Sequence, residues 1–411
     1  SISEFEVWSY HVFNIFFHII ATLLVYKFVN QIQFFLRDLK IKGSDNFISW
    51  PLLSALVFAL HPLSTQSVTY ISSRSSILAT VFYLSSFIFF FKGFGERKNL
   101  INSGAFSFVA STLFFILGVL SKEIIVTLPA ALFIFHYYFI WRGDFKKWIS
   151  VNLKWILLLL IPLLAGVGYK QFLGGGFLAA SSAELSSSTW LLTQTSVVPF
   201  EYFKKFLFPF NLSLDVHFPI LMDWLNPKNW LGIFSLGILI AIWLKISTAP
   251  KEEGNFEVER RCAGFGLAWI FLTLLPTSSF IPLLDPVMEH RTYLPMVGFA
   301  LLATSIGSWA YRTFAHGNKK SSSSFPAQIG MISILVLFSG IAIERNKIWK
   351  DELTLWADAR NKSPGLVRPY NNLGESHDKL GNYGKAVEEF KKALKINPNY
   401  FFGLNNIGNV Y

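Results

Sequence analysis

Three cations sit where an apolar sequence is briefly interrupted: Arg74 in "TYISSRSSIL", Lys122 in "VLSKEII" and Arg291 in "MEHRTYL". A charge in such a place either runs its stem along lipid to reach the headgroups or meets a fixed anion in a poorly screened site. Glu123 and Glu289 adjoin two of these cations and read as carboxylates that make Lys122 and Arg291 tolerable there. His61, directly before Pro62, either binds a polar ligand or ends a helix, because proline cannot continue the backbone ladder. His11, Asn14 and His18 fall at i, i+3 and i+7, hence on one helical face. A metal is the sharper reading of that face, and an inward polar stripe bonding neighbouring helices is the favoured one. No metal is expected. Asp215 and His217 either touch a polar ligand or lie in a solvated turn, and the Asn-x-Ser matches at Asn211 and Asn361 occur at about chance frequency.

The elements that position these residues follow from composition. Hydrophobic residues make up 52% of the 411 positions and charged ones only 15%, too little polar surface for a soluble globule of this size. The chain reads as an all-α, polytopic membrane protein. Its one cysteine, Cys262, excludes an intrachain disulfide and reads as a small apolar filler. The net charge of +11 is assigned to loops that orient the spans, so no nucleic acid partner is expected.

Ten apolar segments approach the roughly 20 residues needed to cross a bilayer. They lie near 9–29, 47–62, 77–91, 104–120, 124–141, 155–168, 229–245, 262–281, 292–312 and 326–343. Of the 25 Lys and Arg residues before position 344, 18 fall in one alternate set of connections and seven in the other. That bias places the first set in the cytoplasm and both chain ends on the opposite side. The segment "WLLTQTSVVPFEYFKKFLFPFNL", near 190–212, is apolar but would invert every later loop if it crossed, so it reads as an external helix lying in the interface. The "GGGFLAASSAELSSST" run before it reads as a mobile external loop, and "SSSS" at 321–324 as a linker. Residues 1–343 thus form the membrane domain.

From 344 to 411 the pattern turns soluble, charged and helical, and it repeats itself. Leu373 and Gly374 return as Ile407 and Gly408, while Phe390, Ala393 and Pro398 echo Trp356, Ala359 and Pro364, each 34 residues apart. With Ala386 completing the second helix, this is the tetratricopeptide signature: half a repeat, one whole repeat and the start of another, expected outside.

The order of motifs resembles the transmembrane and tetratricopeptide-repeat-containing O-mannosyltransferases, and their bacterial relatives, within the GT-C class. The stretches that carry it are "SYHVFNIFFHIIATLLVY", "FALHPLSTQSVTYISSRSSILA", "LSKEIIVTLPAAL", "LFPFNLSLDVHFP", "LPTSSFIPLLDPVMEHRTYLPMVGFALL" and "ERNKIWKDELTLW". The resemblance implies transfer of a sugar from a polyprenyl-phosphate donor to Ser or Thr of an exported protein, without a cofactor, the repeats presenting the acceptor. It implies that Arg74, Lys122 and Arg291 bind the donor phosphate, supported by His61, Glu123, Glu289 and Tyr293. The general base is expected upstream of Ser1, the chain being read as incomplete at both ends. Two positions depart from the family pattern: Gln66 stands where a Glu is usual and Ser76 where an Asp is usual. The alternative is a non-catalytic membrane scaffold of the same fold, whose repeats dock a partner complex. Either reading places the chain in a bacterial inner membrane with periplasmic repeats, or in an endoplasmic reticulum membrane with lumenal ones.

Overall fold

The computed structural model describes residues 7–38, 50–96, 101–141, 144–154, 186–223, 226–248, 256–279, 281–317 and 325–410. The elements used below are α1 (Val7–Asp38), α2 (Trp50–Leu60), α3 (Ser64–Thr69), α4 (Arg74–Glu96), α5 (Ile101–Ser121) and α6 (Leu128–Phe135). They continue with α7 (Ser187–Val197), α8 (Pro227–Thr248), α9 (Glu257–Leu274), α10 (Pro295–Gly317) and α11 (Phe325–Ile348). A final group comprises α12 (Glu352–Lys362), α13 (Val367–Lys379), α14 (Tyr383–Ile396) and α15 (Phe401–Val410). The regular structure of the described residues is helical, as the apolar periodicity implied.

Among the described residues, six helical stretches are long and apolar enough to cross a bilayer: Trp8–Arg37, Ile71–Gly93, Gly104–Ser121, Glu123–Ile140, Asn229–Thr248 and Ile329–Ile348. Of the other expected spans, the one near 47–62 is the short α2, and that at 155–168 lies outside the described residues. Those near 262–281 and 292–312 correspond to α9 and α10. α9 opens with Glu257, Glu259, Arg260 and Arg261 and is buried along most of its length, so it is a core helix. Of the run at 174–189, residues 174–185 lie outside the described residues and 186–189 form the cap and first turn of α7, while 321–324 also lies outside them.

α1 shows how the sequence divides lipid from core. Ile15, Phe16, Ile19 and Leu23 are exposed, while Asn14, Ala21, Val25 and Phe28 are buried. An apolar outer face is what hydrocarbon demands, and polar atoms belong inside where partners wait. Leu113 and Leu120 of α5, Phe234 of α8 and Val336 of α11 extend the exposed apolar surface. Inside, Phe28, Phe87, Phe91, Phe135, Phe265 and Trp269 interlock, with Phe91 and Phe135 centroids 4.2 Å apart. α9 and α10 cross tightly because Gly266 and Gly298 face each other: a Cβ on either would lie 2.6 Å from the other's carbonyl oxygen.

α7 continues through a wide π turn at Val198–Phe203 into Lys204–Leu207, the stretch expected at the interface. It packs through Trp190, Tyr202 and Phe206, all buried, and leaves Leu207, Phe208 and Phe210 exposed. Lys204 is open, whereas Lys205 is buried and ion-paired. Cys262 is buried at the start of α9.

Candidate functional site

The polar pause after α2 is a brace. His61 Nδ1 accepts the Leu63 N–H at 3.2 Å and Nε2 donates to the Phe206 carbonyl at 3.1 Å, which sets the tautomer. The ring also lies edge-on to Phe338. With both nitrogens committed to backbone, His61 ties α2 to the α7 segment and has none left for a ligand. α3 follows, and buried Gln66 explains its own identity. Its amide donates to the Leu214 carbonyl at 3.0 Å and accepts the His290 N–H at 2.6 Å. A carboxylate accepts only, so a glutamate would leave the Leu214 contact unmade.

Lys122, between α5 and the 3-10 turn that begins at Glu123, reaches across to donate to Ser76 Oγ of α4 at 2.8 Å. Burial pulls its ammonium down to about 8, opposed by Glu123 and reinforced by the Arg291 charge. Ser76 therefore gives Lys122 a hydroxyl where the family pattern has a carboxylate, so the positive charge meets no carboxylate from α4 and, among the described residues, only the exposed Glu123 offsets it. Arg291 is nearly buried and donates through Nη1 to the Pro286 carbonyl at 3.4 Å. Among the described residues no carboxylate pairs with it. His290 between them has a buried Nδ1 without a hydrogen-bond partner. Burial, with Lys122 and Arg291 adding to it, pushes that imidazole down to about 3.

The fold therefore gathers Lys122, His290 and Arg291 beside Ser76. Arg74 opens α4 two residues before Ser76 and is exposed, its guanidinium 5.1 Å from the Tyr10 ring centroid. Glu289 does not serve Arg291: it is 2% exposed and accepts from Lys205 at 3.1 Å and from the Ser213 N–H at 2.9 Å. Lys205 also meets Glu201 at 3.0 Å. Burial lowers the Lys205 pKa, but Glu289 and Glu201 outweigh it and the net direction is upward. Glu123 is exposed beside Lys122. Tyr293 turns into the helix core, where its hydroxyl bonds His18 Nδ1 at 2.6 Å. His18 Nε2 lies 3.2 Å from the Ala59 carbonyl, and Asn14 donates to Val68 at 2.9 Å, so that stripe joins α1 to the α2–α3 segment. His290 was overlooked in the sequence because it sits between Glu289 and Arg291, two charged residues that drew the chemistry, and its approach to Lys122 exists only in the fold.

The second polar feature joins the membrane domain to the repeats. Arg368 of α13 grips Asp215 with two bonds of 2.6 Å and Asp285 with bonds of 2.8 and 3.4 Å. Asp215 is 3% exposed, so it is neither a sugar ligand in the open nor a solvated turn. Ser363 Oγ donates to the Asp215 carbonyl at 2.8 Å and accepts the His217 N–H at 3.1 Å, and Lys362 Nζ donates to the Leu212 carbonyl at 2.7 Å. Gly365 permits the approach, since a Cβ there would lie 2.9 Å from the His217 ring. Asn211 turns the chain into this loop at φ 55°, a conformation asparagine tolerates. In the repeats, Leu373, Ala386, Phe390 and Ala393 are buried, Gly374 lies against Phe390, and Pro398 follows the end of α14 in an exposed turn.

This fold and site define a polytopic helical membrane protein with a tetratricopeptide arm clamped to a loop between its membrane helices. Residues 367–400 match the tetratricopeptide repeat family. Along almost its whole length the chain is similar to protein O-mannosyl-transferases. That named F38B6.6 from Caenorhabditis elegans is 25% identical over 97% of this chain and 52% of its own length. TMTC3 from Mus musculus is 24% identical over 100% of this chain and 44% of its own, and Tmtc3 from Drosophila melanogaster 22% over 99% and 48%. The chain spans about half the length of these curated relatives. No solved structure matches it.

Proposed function

We propose that the chain is the membrane part of a glycosyltransferase that moves mannose from a polyprenyl-phosphate donor to Ser or Thr of an exported protein. The observation that carries this reading is the gathering of Lys122, Arg291 and His290 beside Ser76, with positive charge and no paired carboxylate. The relatives' names supply the sugar. In the reaction the acceptor hydroxyl oxygen bonds to the anomeric carbon as the bond from that carbon to the phosphate oxygen breaks. The polyprenyl phosphate departs with a second negative charge and the hydroxyl proton passes to a base. Lys122 and Arg291 hold the departing phosphate in a poorly screened site, where fixed charge lowers the barrier most. Arg74 meets the donor at the mouth. The repeats lie on the far side from the cytoplasm and hold the acceptor chain.

A second reading, a scaffold of the same fold, is favoured by one observation: Glu289, the buried carboxylate beside this cluster in sequence, is already committed to Lys205 and Ser213. One experiment separates the two. Polyprenyl-phosphate mannose binding and transfer to a Ser/Thr-rich peptide are measured on detergent-purified protein with its natural flanking sequence, alongside Arg291→Gln, Lys122→Gln and Arg74→Gln. Loss of a charge-assisted bond of about 1.5–3 kcal/mol weakens donor binding about 10- to 150-fold in the first two variants. Equal donor affinity in wild type and variants, with a partner still captured by the repeats, would establish the scaffold.

A further inference from the structure

At the end of α11 an arginine is buried that the reaction above does not use. Arg345 is 4% exposed and donates through Nη1 to Asp358 at 2.8 Å. Its Nε and Nη2 are buried without a hydrogen-bond partner, and so is the indole N–H of Trp349, one turn further on. The guanidinium carbon lies 5.8 Å from that ring centroid. Three N–H donors thus lack acceptors within one turn of one another, where each unmade bond costs about 1–3 kcal/mol. Arg345 also lines a cleft of about 400 Å³ between the loop at 209–212, the end of α11 and the start of α12. That volume falls in the range of about 300–1,000 Å³ found for small-molecule sites.

The cleft is divided by chemistry. Phe210, Ile341 and Ile348 give it an apolar wall, and Arg345, Lys347 and Lys362, with the carboxylate Glu344 beside them, a charged one that is cationic on balance. Lys362 is committed to Asp358 and Leu212, and Lys347 pairs with Glu344 on the surface, so the donors left over in the lining are those of Arg345. Such donors call for an anion with several acceptor oxygens, as a phosphate has. Around the cleft Leu207, Phe208 and Ile343 are exposed, the surface expected where a span ends in lipid.

We propose that this cleft binds the phosphate headgroup of a membrane phospholipid, with one acyl chain along Ile341 and Ile348, and that the lipid fastens the end of α11 to α12. The site goes beyond the glycosyl-transfer reading and does not depend on it, because it shares no residue with the Lys122 cluster. The source of the phosphate is the bilayer; free phosphate offers the same chemistry without the chain.

The test uses full-length protein stripped of lipid in detergent and titrated with phosphatidylglycerol or with inorganic phosphate, counting retained lipid by native mass spectrometry and following thermal stability. Trp349→Phe removes one donor while keeping the ring, and Lys347→Gln removes an exposed cation, so both should fold; Arg345→Gln is the stronger variant. Wild type should retain phosphatidylglycerol and gain stability from it, with affinity about tenfold or more lower in Arg345→Gln. Stabilisation by inorganic phosphate alone would overturn the assignment to lipid. Equal lipid retention in wild type and all three variants, or none in any, would overturn the site.

Discussion

Replacing Arg368 with Gln should release the repeats from the loop at 211–217. Arg368 makes two 2.6 Å bonds to Asp215 and further bonds to Asp285, but its side chain is 36% exposed, so solvent screens part of the attraction. Asp215 is the member that cannot relax: it is 3% exposed, and without the guanidinium it keeps a buried charge. Removing one partner of a fully buried pair costs about 3–5 kcal/mol, and discounting for the exposed side gives about 2–3. That corresponds to a shift of about 30- to 150-fold between docked and undocked repeats. Hydrogen exchange should report it directly, because the His217 amide is held by Ser363 and should exchange faster by that factor. A double-mutant cycle with Asp215→Asn isolates the pair, with an expected coupling of about 2 kcal/mol. Additivity within about 0.5 kcal/mol, or unchanged protection of residues 211–217, would refute the clamp.

The pH response of His290 has a definite sign. Its folded pKa is pushed to about 3 from 6.5, so below pH 6.5 the unfolded chain takes up a proton that the folded protein refuses. Stability should fall as the pH drops from 6.5 toward 3, by at most about 5 kcal/mol, and the slope should flatten in His290→Gln; equal acid sensitivity in both would exclude it. Donor binding should weaken above pH 8, where free Lys122 loses its proton, and Lys122→Gln should abolish that dependence. Gly374→Ala sets a methyl 2.5 Å from the Phe390 ring and should cost the repeats about 1–3 kcal/mol, read by thermal denaturation. Lys385→Cys should react only with reagent applied from the non-cytoplasmic side, because Lys385 is exposed on the repeats.

What the sequence revealed depended on how far apart the interacting residues lie. The repeats were legible because period 34 is a local property, and Gly374 meets Phe390 within one repeat. Spans were legible because hydrocarbon selects apolar runs residue by residue. Lys205 shows the limit: its partner Glu201 is one turn away and visible, but Glu289 is 84 residues distant, so a lysine expected at the outer surface is buried instead. The same limit applies to Asp215 and Arg368, separated by 153 positions. Gln66 and Ser76 looked like losses against the family pattern. In the structure Gln66 both donates and accepts, and Ser76 receives Lys122, so each substitution fits the contact it makes.

α12 explains why the arm is held where it is. Asp358 and Lys362, one turn apart, take Arg345 at the end of α11 and the Leu212 carbonyl of the loop. Arg360, between them on another face, reaches Glu389 of α14 at 3.0 Å. One short helix therefore ties a span end, a loop and a repeat helix through charges that are mostly out of water, and Arg368 adds a second tie in the first turn of α13. Moving the repeats with α12 as a body would strand Asp215 and Arg345 together, each 4% exposed or less. The cost of uncovering several buried charges at once makes a sliding arm unfavourable and a docked or fully released arm the two accessible states. A chain held on the docked repeats would then keep a fixed distance from the Lys122 cluster, because the loop that Arg368 grips also gives its Leu214 carbonyl to Gln66, which receives His290 on its other side.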